Sequence, residues 1–248
     1  MASVNLPVIV LVPGAFGTAA GFEKLVPHLE KVGFSTHPGT YPSCNPSDPA
    51  VATCQNDIAS LRNNVLLPLL EQEQKDVVII AHSYGGVVAG AAAKYLDKQT
   101  RRTQGQAGGS VVGLIYVVGN ITLEDESLLE APSKGLALIE PAMDVLYNDC
   151  DAALAPELDK FMNPHALRAF ETKPTAPAWA DEAFSGRRAY VRTLNDCCNP
   201  VSLQDKWLEK SKVEWNVADL ESGHMPFISQ PEALAKQVVK FIHGFVTL

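Results

Sequence analysis

No apolar run in this sequence approaches the ~20 residues a membrane-spanning helix needs, so a membrane partner is not expected. Basic charge is also in short supply. Lys and Arg total 20 against 28 Asp and Glu, a formal net charge of −8. A surface of that sign repels phosphate backbones, and no basic stripe is interleaved with aromatic residues, which argues against nucleic acid as a partner. The cysteines Cys44, Cys54, Cys150, Cys197 and Cys198 form no C-x-x-C pair and no metal-ligand spacing. Free thiols in a reducing cytosol are the expectation, a Cys44–Cys54 bridge the alternative, and neither metal nor cofactor is implied. The opening residues, MASVNLPVIVLVPG, lack a basic stretch followed by a long apolar one. They read as a strand rather than a signal peptide, and a cytoplasmic location is expected.

What the chain does have is apolar material for a core: 46% hydrophobic residues against 19% charged over 248 residues. That balance and length suit one large α/β domain. The short β-branched run Val8–Val12 ends at Pro13-Gly14 and suits a strand buried on both faces. Phe22, Leu25, Val26, Leu29 and Val32 follow at helical spacing, closed by Gly33. After an extended stretch over 34–41, Asp48-Pro49 reads as the start of a long helix through Ile58, Leu61, Val65 and Leu69. The run Val77–Ala81 is another buried strand, turning at His82-Ser83-Tyr84-Gly85-Gly86 into a small-residue helix over 87–96. Residues 99–110, QTRRTQGQAGGS, read as a surface loop.

Strand character returns over 111–118. From 119 to 187 the pattern breaks into short helical pieces with many prolines. It resumes with a strand over 189–194, a helix over 201–210, a strand over 213–217 and a final helix over 230–246. Alternating strands and helices imply right-handed crossovers and a mostly parallel sheet covered on both faces. Residues 1–118 and 188–248 are expected to form one core, and 119–187 an inserted cap over its active edge.

The junction Ala81-His82-Ser83-Tyr84-Gly85 carries the chemistry. A serine between a buried strand and a helix is held on a tight turn that lifts its hydroxyl above the sheet edge. The turn needs small residues two positions either side; Gly85 meets this, and Ala81 stands where glycine is usual. A serine hydroxyl needs a base to become a nucleophile. His82 adjoins the serine and should point into the structure. His28 and His243 fall in amphipathic helices, His37 in an early loop, and His165 in the inserted segment, where contact with substrate is the weaker reading. His224 lies between the last strand and last helix, at the same sheet edge as Ser83, and is the candidate base.

The acid that orients it should follow an intervening strand. Asp196, in LNDCCNP, does so and gives the chain order Ser, Asp, His. Asp205 lies inside a helix and Asp219 at the last strand, and both are weaker. The oxyanion of an attacked carbonyl needs preorganised amides. That of Tyr84 comes free at the helix start, and that of Ala15 in the loop Pro13–Gly17 is the best placed partner.

Together, VLVPGAFGTAAGF, AHSYGG, LNDCCNPVSLQ and SGHMPFISQP resemble the fungal and bacterial α/β-hydrolases related to plant methyl-ester esterases and hydroxynitrile lyases. The resemblance covers nearly all of the chain outside the cap. It implies the α/β-hydrolase fold, Ser83, Asp196 and His224 as a catalytic triad, and Ala15 and Tyr84 as oxyanion donors. The spacing of Asp196 to Pro200 and Gln204 matches the family, and LYNDC, Leu146 to Cys150, looks like a cap segment of its fungal members. The lyases carry lysine directly after the histidine, whereas this chain has Met225. The expected activity is therefore hydrolysis of a small to medium, rather apolar ester or lactone, with Phe16, Met225 and Tyr147 as candidate pocket walls. A lyase or cyclase using His224 alone, or a ligand-binding receptor on the same scaffold, are the alternatives.

Overall fold

The computed structural model describes residues 6–129 and 135–247. Residues 1–5 and 248 of the expected core, and 130–134 of the expected cap, lie outside it. Among the described residues eight strands occur, in the order β1 (Val8–Val12), β2 (Thr36–Pro38), β3 (Val77–His82), β4 (Val111–Val117), β5 (Leu136–Ala137), β6 (His165–Ala166), β7 (Arg188–Thr193) and β8 (Asn216–Leu220). Six of them form one sheet in the order β2-β1-β3-β4-β7-β8, and every pairing in it is parallel. The strands β5 and β6 pair antiparallel within the 119–187 segment.

The period of two in a strand sorts the apolar runs onto two faces. Val8, Val10 and Val12 of β1 join Val77, Ile79 and Ala81 of β3 in one core layer, with the helices Cys54–Leu61 and Gly85–Ala92 over it. Ile9, Leu11, Val78 and Ile80 enter the other layer, covered by the helices Val26–Glu30 and Pro231–Thr247. A fully buried aliphatic side chain is worth about 1.5–3 kcal/mol, so these alternating sets are what fixes the register.

The chain leaves β1 toward β2 on one side, whereas β3 leads to β4 on the other. At such a reversal two connections diverge and leave a crevice outside the carboxyl ends of the strands. The loop 13–17 and the turn at Ser83 both emerge there.

Three expectations need correction. The helix expected at Asp48 begins at Cys54 instead. The Asp48 carboxylate accepts from the Ala50 amide in a local turn, while Thr53 and Asn56 form the reciprocal cap that starts the helix. Residues 99–110 are not loop throughout: Asp97 caps a helix over Lys98–Thr103 by accepting from the Thr100 amide at 2.8 Å. Its cap signal lies just ahead of the polar run. The last strand is Asn216–Leu220, three residues later than expected. Val213 and Trp215 pack against the core from the preceding connection rather than sitting in the ladder. Among the described residues no helix is long and apolar enough to cross a membrane, and all five cysteines are free.

Candidate active site

Ser83 has φ 49°, the left-handed region a serine seldom enters. Its amide donates to Val117 O and its carbonyl accepts from Asn120 N, so the end of β4 pins both sides of the turn. Gly85 is needed for close approach: a Cβ there would lie 2.5 Å from Pro13 O and 2.8 Å from Val12 O. Between Val77 and Ala93 every residue is buried except Ser83. The turn thus presents one hydroxyl and hides everything around it.

Asp196 and His224 are brought together from loops after β7 and β8, with Asp196 Oδ2 2.8 Å from His224 Nδ1 and both side chains buried. The carboxylate also accepts from the Thr193 hydroxyl at 2.9 Å and from the amides of Cys198 and Asn199 at 2.8 Å each. Burial by itself raises its pKa, but the hydrogen bond and charge interaction with His224, with the Asn199 amide and Thr193, outweigh it and hold the carboxyl below its ordinary value. An ionised Asp196 accepts the Nδ1 proton and leaves Nε2 of His224 as the proton acceptor. Gln204 fastens the acid turn, bonding the Thr193 amide and carbonyl and the Asn199 carbonyl. The rival acids are occupied elsewhere, since Arg192 binds both Asp205 and Asp219.

Ser83 and His224 are not joined by a hydrogen bond among the described residues. His82 fills the space behind them, donating from Nε2 to His224 O at 2.8 Å, its ring 4.8 Å from that of His224. Burial, reinforced by His224, lowers its pKa to about 3, so it stays neutral. Gly14 is required here, because a Cβ would come within 2.6 Å of His82 Nδ1.

The amides of Ala15 and Tyr84 have no hydrogen-bond partner among the described residues; the second belongs to the unbonded first turn of its helix. Phe16, Tyr147 and Met225 are all buried. Tyr147 donates to Met162 Sδ at 3.2 Å, whereas Phe16 lies on the opposite core layer. Among the described residues no cluster of three or more His, Cys, Asp or Glu could hold a metal ion.

The 119–187 segment braces the loops from both sides. Asn148 donates to Asn195 O at 2.8 Å and Asp149 accepts the Gly223 amide at 2.7 Å, so LYNDC ties the loop of Asp196 to that of His224. A second, unforeseen set of polar residues lies under Tyr84. Its hydroxyl donates to Asp57 Oδ2 at 2.6 Å, as does the Ser43 hydroxyl at 2.5 Å, and Ser43 Oγ is 3.0 Å from His165 Nε2. One signal for it was legible: Asp57 occupies the inward stripe of its helix beside Cys54, Ile58 and Leu61.

The chain belongs to the Alpha/beta hydrolase family, whose pattern matches residues 9–237. It is 24% identical to the alpha/beta hydrolase nvfD of Aspergillus novofumigatus, covering 94% of this chain and 95% of that one. It is 25% identical to a pyrethroid hydrolase of Sphingobium wenxiniae, over 94% and 86% of the two chains. The crystal structure of a methylesterase from Arabidopsis superposes with a TM-score of 0.74 at 20% identity, over 96% of this chain and 99% of that one.

Proposed function

We propose that this chain is a serine hydrolase that cleaves a small to medium, rather apolar carboxylic ester or lactone. Ser83 attacks the carbonyl and becomes acylated. His224 takes the serine proton through Nε2, gives it to the leaving alcohol, and then activates water to release the acid. Asp196 holds the imidazole in the productive tautomer, and the amides of Ala15 and Tyr84 receive the oxyanion. The observation that carries this reading is the buried Asp196–His224 pair at 2.8 Å, with the His224 ring 4.8 Å from that of His82, the residue next in sequence to Ser83, which alone is not buried between Val77 and Ala93. Relatives named as a pyrethroid hydrolase and as putative methylesterases support ester bonds as the target. The buried Phe16, Tyr147 and Met225 support an apolar acyl or alcohol group, with 119–187 as the cap that selects it.

Replacing Ser83 by alanine is the test. Turnover of an activated p-nitrophenyl ester should fall by about 10⁴-fold or more, and labelling by a fluorophosphonate probe should vanish. A Ser83→Ala protein with full turnover would exclude the acyl-enzyme. That outcome would favour the lyase or cyclase reading, in which His224 moves a proton without Ser83, as the absence of a hydrogen bond between them permits.

A further inference from the structure

The loop that carries Ala15 is held at its two ends by Tyr41, whose hydroxyl bonds the carbonyls of Pro13 and Gly14, and by Cys44, whose thiol donates to Gly17 O at 3.3 Å; at its middle residue, Phe16, the grip comes from the inserted segment. Phe16 has φ 65°, a left-handed conformation for a bulky residue, so something must hold it there. Two contacts from residues 163–165 do so. The Asn163 amide donates to Phe16 O at 2.7 Å, and the Phe16 amide donates to His165 Nδ1 at 3.4 Å. Both backbone groups of Phe16 are therefore bound to one short stretch almost 150 residues away.

The second contact sets the tautomer of His165. A ring nitrogen that accepts from an amide carries no proton, so Nε2 bears it and donates to Ser43 Oγ at 3.0 Å. Ser43 in turn donates its hydroxyl hydrogen bond to Asp57 Oδ2, which also accepts from the Tyr84 hydroxyl. The donors run in one direction, from the Phe16 amide to the Asp57 carboxylate. Packing reinforces the order: the His165 ring stacks on Phe170 at 4.8 Å and meets the edges of Tyr84 at 5.1 Å and Phe16 at 5.8 Å. His165 is fully buried, so it is a brace and not a group that touches solvent. The two residues it joins, Phe16 and Tyr84, flank or supply the two amides without partners among the described residues.

We propose that His165 is a positioning residue that holds the oxyanion loop in its working shape by accepting the Phe16 amide. The inserted segment thereby governs catalysis as well as access. The inference rests on the serine-hydrolase reading for its effect on rate, though not for the clamp itself.

Asparagine and glutamine separate the two arms of the ring. His165→Asn keeps an acceptor near the Nδ1 position and loses the arm to Ser43; His165→Gln keeps the far arm and loses the acceptor. Both, with His165→Ala, are compared with the unaltered protein on p-nitrophenyl butyrate, by thermal melting, and by amide hydrogen exchange of residues 13–17. His165→Asn should keep kcat within about threefold, whereas His165→Gln should lose about ten- to a hundredfold in kcat at little-changed KM. Exchange of the Phe16 amide should quicken in His165→Gln and His165→Ala and stay slow in His165→Asn. Equal kcat and equal exchange in the Asn and Gln variants would overturn the proposal, as would losses that simply follow Tm across all three. If the unaltered protein neither turns over esters nor takes a fluorophosphonate label, the hydrolase reading falls. The order of exchange rates then decides the clamp alone.

Discussion

Two buried carboxylates, Asp196 against His224 and Asp57 against Tyr84, have pKa values displaced in opposite directions. Asp196 and Asp57 are both almost wholly removed from solvent and each accepts several hydrogen bonds. Burial is the largest influence on both and raises both. At Asp196 the bond and charge interaction with His224, with an amide and a hydroxyl behind them, overcome it. At Asp57 the donors are the hydroxyls of Ser43 and Tyr84 and one amide, all neutral, and the pKa is raised to about 6. His165, one residue further out, is itself pushed to about 3 by burial and lends no charge. The lesson is that neutral donors alone do not offset removal from water, whereas a partner able to become a cation does. The first arrangement suits a group that must steady a developing imidazolium; the second suits a structural tie.

Breaking the acid–base side should have the largest effect. Asp196→Asn keeps the shape but permits the wrong imidazole tautomer, and kcat on an activated ester is expected to fall by about 10³–10⁴-fold. A variant that melts like the parent and retains a tenth of its rate would place the working acid elsewhere.

The strap across that side should matter less. Asp149→Ala leaves the Gly223 amide without its acceptor, at a cost of roughly 1–2 kcal/mol. A Tm lowered by ~3–6 °C is the expected reading, with kcat reduced about tenfold as the His224 loop loosens. An unchanged rate at lowered Tm would make LYNDC a purely structural strap.

The smallest effect on rate concerns Asp57, whose pH dependence sharpens the contrast directly. Its folded pKa of about 6 lies above the ordinary carboxylate value of 3.8. The unfolded chain therefore ionises first, and the stability associated with the neutral group is lost as pH rises from about 4 through about 6. Asp57→Asn cannot ionise, so its Tm should gain on that of the parent by ~5–9 °C between pH 4 and pH 7. A constant gap would show that Asp57 is no harder to ionise when folded. Asp196 has the opposite sign, its contribution being lost as pH falls.

How much was readable beforehand follows from how local each feature is. The buried strands, the serine turn and the order Ser83, Asp196, His224 are written in short windows with their own spacing rules, and the parallel sheet follows from their alternation. The misplaced boundaries arose where two residues compete for one role, as Asp48 does with Thr53, or where apolar residues pack from a connection, as Val213 and Trp215 do. Asp57 was visible as an acid on an apolar stripe, but its partners were not.

By itself, the sequence marked Ser83, Asp196 and His224 as the candidates for the proposed chemistry and set their loops at one sheet edge, because strand period, helix period and turn residues act over a few positions at a time. Tertiary structure alone decided that Arg192 occupies the two rival acids, that Asn148 and Asp149 tie two loops together, and that His165 reaches both Phe16 and Ser43. Those contacts join positions tens to well over a hundred residues apart. Nothing in the local spacing of a chain encodes them, since they exist only once packing has brought separate segments within hydrogen-bonding distance.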